Sequence, residues 1–404
     1  MSRRFSLSRR AVAWLCVLLL LAGILPMCAL SLYNHAFYDD FGFSLLTREA
    51  WTGEGSVLAV LRAAAVNTFG NAEGTYLGTY NTWEGTYSTS YLSALQPAVF
   101  GEGAYGVTTY LLLGALLLAV WFFLRQTLRG LYGMDRAAVL AAFGMLGFLT
   151  TQFVPDAAEA FYWYNGGVAY TLLWSVMLFT AGLWLAFDRA EGRLRRVLLY
   201  VLLLLLTVVV GGAKYSTVLF ASLLAAGFTA WAFVRKRPGK WAYLSLTLVL
   251  LICFALSVKA PGNAVRAATL SGGMSAPKAV LEAVYFGLAL IGHAFSLPLL
   301  AAMVLLAALS APALRRSSFR FAHPVWAALA GAALFCAQLA PTLYTGNYLG
   351  DGRVLNTYYF SLVIILTQLT LYWTGWYLRL AERGPLLPGL FTPAAEPADG
   401  APAG

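Results

Sequence analysis

Residues 11–32 read AVAWLCVLLLLAGILPMCALSL, twenty-two positions without a charge. Wound as an α-helix they extend about 33 Å, enough to cross a hydrocarbon core of about 30 Å. The preceding MSRRFSLSRR gives the stretch the outline of a signal peptide. The apolar run is longer than a signal core, however, and no A-x-A site follows, so it reads as an uncleaved first transmembrane helix.

The rest of the 404-residue chain fits that reading. Hydrophobic residues make up 60%, charged residues only 11%, and mean hydropathy is +0.72. A soluble domain carries roughly 25% charged residues, so this chain has too little polar surface for water. The four cysteines, Cys16, Cys28, Cys253 and Cys336, are scattered singly in apolar runs and read as small hydrophobes. The length criterion gives ten candidate spans, at 11–32, 105–124, 137–154, 169–187, 197–213, 216–234, 241–258, 288–311, 324–343 and 358–378. The expected fold is all-α, a polytopic transmembrane helix bundle.

Charge tests the topology. With the N-terminus in the cytoplasm and the spans alternating, twenty of the 27 Lys and Arg fall inside, so both termini are cytoplasmic. The net charge of +10 is therefore a topology signal, and a nucleic-acid partner is excluded. Eleven of the 17 acids fall outside, which points to work on the external face. Residues 1–380 form one membrane domain, and 33–104 form its long first external loop. That loop holds an amphipathic run, SVLAVLRAAAVNTF, read as an interfacial helix, and a Gly/Thr/Tyr-rich run, EGTYLGTYNTWEGTYSTSY. A second amphipathic stretch, APKAVLEAVYFGLALIG, precedes the eighth span. The tail, 381–404, is rich in Pro, Ala and Gly and reads as disordered.

Four external segments carry candidate chemistry. In YNHAFYDDFGFS, Asp39 and Asp40 follow the first span, flanked by Tyr38, Phe41 and Phe43, with His35 beside them. Adjacent carboxylates in a partly apolar setting suit a general base or a divalent-metal ligand (Mg or Mn), and equally a structural pair. In VPDAAEAFYWYNGGVAY, Asp156 and Glu159 share a helical face, while Trp163, Tyr164 and Asn165 read as a sugar platform or as an interfacial aromatic belt. In KAPGNAVRA, Lys259 and Arg266 flank a turn carrying Asn263. They read as a phosphate clamp that Lys214 could join, or as Lys259 snorkelling to the interface. In YTGNYLGDGRVLNTYYF, Arg353 and Asn356 stand at a helix N-terminus, where anions are favoured, and a structural Asp351–Arg353 loop contact is an equal reading. His293 reads as a bundle hydrogen-bonding group.

The segments YDDFGFS, FYWYNGGVAYTL and APGNAVRA, in this order and on one side of the membrane, resemble GT-C superfamily glycosyltransferases. The likeness is to bacterial multi-pass proteins of that superfamily in which YDDF-, WYNG- and APGN-x-x-R-like segments recur, and it covers the chain to about residue 380. It implies a polyprenyl-phosphate sugar as donor and an extracytoplasmic acceptor: a cell-wall polymer, a glycolipid or a protein. It also implies a bacterial plasma-membrane location with an external active site. Asp39 or Asp40 would serve as base or metal ligand. Arg266 or Lys259 would grip the donor phosphate, with Asn263, Lys214 and Arg353 assisting. Asp156, Glu159, Trp163, Tyr164, Asn165 and His35 would meet the acceptor. The competing readings are a transporter or flippase, a polysaccharide polymerase, an acyltransferase using His35, and a non-catalytic assembly partner.

Overall fold

The computed structural model describes residues 8–269 and 272–382. Those residues are helical apart from turns and connecting loops, with no strand among them. The N-terminal helix α1 (Arg9–Leu30) is capped by Ser8, whose hydroxyl accepts the Ala11 N–H at 3.2 Å. The long loop that follows holds α2 (Asp39–Glu54), α3 (Val57–Phe69), α4 (Thr79–Thr82) and α5 (Tyr87–Ser93). Then come α6 (Val107–Leu124), α7 (Arg136–Gln152), the single turn α8 (Tyr164–Gly166), α9 (Leu173–Asp188), α10 (Arg193–Gly211), α11 (Tyr215–Val234) and α12 (Lys240–Val258). The last third comprises α13 (Pro261–Thr269), α14 (Ala276–His293), α15 (Leu297–Arg316), α16 (Pro324–Ala337), α17 (Ala340–Gly346) and α18 (Gly352–Ala381).

Nine helical stretches among the described residues are long and apolar enough to cross a bilayer. Leu18, Leu25, Leu198, Leu205 and Ile252 turn outward from three of them. An outer surface of this kind is stable only against lipid, and the chain is a multi-pass membrane protein. Two of the expected spans differ in detail. Helix α7, over the expected third span, has 17 residues and about 25 Å of rise, short of a full hydrocarbon core. It lies tightly against α1: a Cβ on Gly144 would sit 2.5 Å from the Cys16 carbonyl carbon, so only glycine permits this approach. The expected eighth span, 288–311, is broken at Ala294–Ser296. The amphipathic run before it forms α14, and the crossing stretch is Leu297–Arg316.

The tail beyond residue 382 lies outside the described residues, as do Arg3, Arg4 and Arg383. Among the remaining cations, those assigned to the inside gather at one end of the bundle. Arg9 pairs there with Asp135 at 3.2 Å, and Arg237 grips Asp188 through Nη2 at 2.5 Å and Nε at 3.0 Å.

At the other end α2 has reversed polarity. Its buried residues are polar: Asp40, Ser44 and Thr47. The Ser44 hydroxyl accepts from the Gln96 amide at 3.0 Å, and the Thr47 hydroxyl donates to the Ala94 carbonyl at 2.6 Å. Phe41 and Leu45 face outward, opposite to a helix of a water-soluble protein.

Candidate functional site

Residues 156–172 form the hub of the non-basic end. They begin with a π-helical turn, Ala158–Tyr162, and end in another, Gly167–Leu172, with Tyr164–Gly166 between them. Such turns displace side chains from regular helical positions and recur at functional sites. The Asp156 N–H donates to Asn356 Oδ1 at 2.8 Å, and Asn356 Nδ2 donates to the Asp156 carbonyl at 2.6 Å, which docks the start of α18. The Asp156 carboxylate accepts the Glu159 N–H at 2.9 Å. Glu159 in turn accepts from the Arg353 N–H at 2.6 Å and from its Nη1 at 2.9 Å. Arg353 also donates to Asp351 at 3.2 Å and lies 5.1 Å from the centre of the Trp163 ring. Its guanidinium is thus neutralised by two carboxylates, and Asp156 and Asn356 are structural ties.

The aspartate pair opens α2, where its negative charge favours the helix dipole; the sequence reading had placed it after a helix. The two acids have different fates. Asp39 is exposed. Asp40 is 0% exposed, and its carboxylate accepts from the Phe37 N–H at 3.0 Å, the Asn165 N–H at 3.1 Å and the Tyr105 hydroxyl. The same Tyr105 oxygen accepts the Tyr164 N–H at 2.9 Å. Burial pushes the Asp40 carboxyl above the usual carboxylate range. The hydrogen bonds from Tyr105, Phe37 and Asn165 pull it back, and repulsion from Asp39 is the smallest influence. Asp40 therefore fastens the loop between α1 and α6 to the hub. His35 is not part of this arrangement; it is exposed and lies 3.7 Å from Glu102.

A third cluster centres on Glu84, which the sequence reading did not single out. Glu84 is 4% exposed and accepts from Lys214 Nζ through both oxygens at 2.7 Å, and from Arg266 Nη1 at 2.8 Å. Burial alone would push its carboxyl up. Lys214 and then Arg266 outweigh that, and it lies below the usual glutamate range. Arg266 stands 5.2 Å from the Trp83 ring and Lys214 5.9 Å from that of Tyr170. The triad, one carboxylate and two cations, keeps an excess positive charge. Asn263 holds the loop in register: its Oδ1 accepts from the Gly85 N–H at 3.1 Å and the Tyr215 hydroxyl at 2.9 Å, and its Nδ2 donates to the Ser257 carbonyl at 2.8 Å. A Cβ on Gly85 would lie 1.9 Å from the Ser257 oxygen, so the loop can reach α12 only through glycine. Lys259 caps α12, is exposed and stays out of the cluster.

Beneath these charges lies an apolar cavity of about 410 Å³. It is lined by Trp174, Leu178 and Trp184 of α9, Phe220 and Phe228 of α11, and Ile364 and Ile365 of α18, among others, and by no charged side chain. Three elements carry both features. Tyr170 lies one turn before Trp174, Lys214 six positions before Phe220, and Arg353 eight positions before Ser361, which also lines the cavity. Asn165 adds unmet hydrogen-bonding capacity: it is 6% exposed and neither atom of its side-chain amide has a partner. The Trp163 indole N–H is likewise buried and unpaired. The Tyr164 hydroxyl is engaged, donating to the Leu92 carbonyl at 3.1 Å.

A divalent cation does not fit the aspartate pair. Asp40 spends its oxygens on three donors, Asp39 stands apart in solvent, and no group of three metal-ligating side chains occurs among the described residues. Adding EDTA or 1 mM-scale Mg²⁺ is accordingly expected to leave the thermal unfolding midpoint of the purified protein within about 1 °C, since a ligand that binds only the folded state raises it. A reproducible rise with Mg²⁺ would reinstate a metal site. Set against known proteins, the chain matches no family model, no curated protein and no solved structure.

Proposed function

We propose that the protein is a membrane glycosyltransferase of GT-C type that moves a sugar from a polyprenyl-phosphate donor to an acceptor outside the cytoplasmic membrane of a bacterium. The observation that carries this reading is a positively charged, partly buried cluster whose Lys214 caps α11, a helix that lines an apolar cavity further along its length. That pairing suits an amphiphile with a phosphate head and a hydrocarbon tail. Lys214 and Arg266 would receive the phosphate, and the free amide of Asn165 and the Trp163 indole would receive sugar or acceptor hydroxyls. Asp39 remains the accessible carboxylate. It would remove the acceptor hydroxyl proton as that oxygen bonds to the anomeric carbon. The bond from this carbon to the phosphate oxygen breaks, and the lipid phosphate leaves with the electron pair, held by the cations.

The cavity also bears on the flippase reading. It extends from Ser361 to Tyr372 on α18, about 16 Å of helix, without a charged lining residue. A phosphate crossing such a path would be stripped of water with nothing to compensate it, which favours a lipid tail at rest over a head in transit.

The test is lipid mass spectrometry on membranes carrying Asp39→Asn. Loss of a general base lowers the rate by roughly 10²–10⁴. The expected result is accumulation of one polyprenyl-phosphate sugar and loss of that sugar from an envelope component. Unchanged pools in a correctly inserted variant would remove Asp39 from the mechanism, and unchanged pools in an Asp39→Asn/Lys214→Ala double variant would remove the transferase reading.

A further inference from the structure

The opposite, basic end carries a second cavity that the transferase reading does not use. It measures about 800 Å³ and lies between the connection Ser317–His323 and the last turns of α18 at Trp376, Arg379 and Glu382. The connection is held rigidly. The ring of Phe321 presses on α18 where only glycine fits: a Cβ on Gly375 would lie 2.6 Å from it. Phe319 and Phe321 pack edge-on against Tyr372, the Tyr372 hydroxyl donates to the Ala322 carbonyl, and the Arg379 guanidinium donates to the Ser317 carbonyl.

The charges around this pinned loop are unbalanced. Arg320 and His323 line the cavity and pair with no carboxylate among the described residues. Arg315 and Arg316, at the end of α15, are equally unpaired. The cavity's one carboxylate, Glu382, is 4.0 Å from Arg379. Helix α16 begins at the rim, immediately after His323, and adds the positive end of its dipole. Trp373 and Trp376 stack edge to face at 5.4 Å at this level of α18. Tryptophan marks the boundary between hydrocarbon and headgroups, and basic pockets between membrane helices at that depth suit phosphorylated lipid heads.

We propose that this cavity binds the phosphate of an anionic membrane lipid, with Arg320 and His323 as donors on the loop side and Arg379 on the α18 side. The site is independent of the transferase reading. Its position at the ends of crossing helices selects a lipid, whose chains continue along α15 and α18, over an anion from solution.

The full-length protein in neutral detergent provides the test. Binding of phosphatidylglycerol, of zwitterionic phosphatidylcholine and of soluble glycerol phosphate is measured by native mass spectrometry and by the shift in unfolding midpoint. Phosphatidylglycerol is expected to bind several-fold more tightly than phosphatidylcholine, and Arg320→Gln/His323→Gln to weaken it by roughly fivefold or more, one surface cation and one imidazole hydrogen-bonding group being lost. Both side chains are exposed, so the lipid-free midpoint should not move, and Arg379→Lys provides a second variant that keeps the charge but loses the fork. Equal binding of the two lipids, or full affinity in the double variant, would overturn the site. Glycerol phosphate matching phosphatidylglycerol would overturn the lipid as its ligand.

Discussion

Glu84→Ala is expected to cost about 3–5 kcal/mol of folding stability, because it leaves two cations facing each other with no counter-charge. The loss should fall toward the lower figure, since the Arg266 side chain is 40% exposed and water screens part of the repulsion. Thermal unfolding in micelles measures it. Adding Lys214→Met to Glu84→Ala should restore part of the loss, as it removes the stranded charge. A single variant costing less than about 1 kcal/mol would mean that solvent already compensates the triad. The pH profile gives an independent reading. A carboxyl held below its usual range adds stability that is present above the unfolded value of about 4.3 and disappears as pH falls through the folded value. The wild type should therefore lose this contribution on acidification below about pH 4, while the alanine variant has none to lose.

Asp40→Asn should separate the two neighbouring aspartates. Its amide group would meet donors where the carboxylate accepted them, leaving at least one buried donor unpaired at a cost of about 2–4 kcal/mol. Asp39→Asn, at an exposed position, should stay within about 0.5 kcal/mol. Under the proposed function the effects cross over: Asp39→Asn removes turnover from a stable protein, and Asp40→Asn lowers the amount of folded protein. The pH dependence of Asp40 has the opposite sign to that of Glu84. A carboxyl raised by burial adds stability that is complete below the unfolded aspartate value of about 3.9 and is lost as pH rises through the folded value. Comparing each variant's unfolding midpoint with wild type from about pH 2.5 to 7 checks both signs, the Glu84 loss falling in the acid part of that range. Equal destabilisation by Asp39→Asn and Asp40→Asn would contradict the burial difference.

The membrane character was legible because an uncharged run the length of a bilayer has few other uses, and the positions of Arg and Lys fixed the ends. Helix α7 and the break at Ala294–Ser296 were harder. The first is short and packs on α1 through Gly144, and the second interrupts a run whose hydropathy hardly changes. At the site, the segments carrying Asp40, Trp163, Asn165, Asn263 and Arg266 could be read from their polar residues in apolar surroundings. Their pairings could not. Neighbouring aspartates look alike until tertiary structure buries one of them. Glu84 sits in a Gly/Thr/Tyr-rich run, 130 positions from Lys214 and 182 from Arg266, and no local pattern marks it as their partner. The Asp351–Arg353 contact could be read from their spacing of two, whereas Glu159, the second carboxylate on Arg353, lies 194 positions away and is absent from its neighbourhood in sequence.

The reversed polarity of α2 makes the surrounding solvent a component of the site. A helix that turns Phe41 and Leu45 outward and Asp40 inward stays seated only while something apolar covers its outer face. Stripping that cover would favour rotation or release of α2. Asp40 would go with it, and with Asp40 the anchorage of the Tyr164–Asn165 turn. Reconstitution into a bilayer should then restore protection of the α2 amides against hydrogen exchange that harsh detergents remove, with little change in α7 and α9. For this chain the bilayer would then be a folding partner of the loop between α1 and α6 as well as the medium that its helices cross.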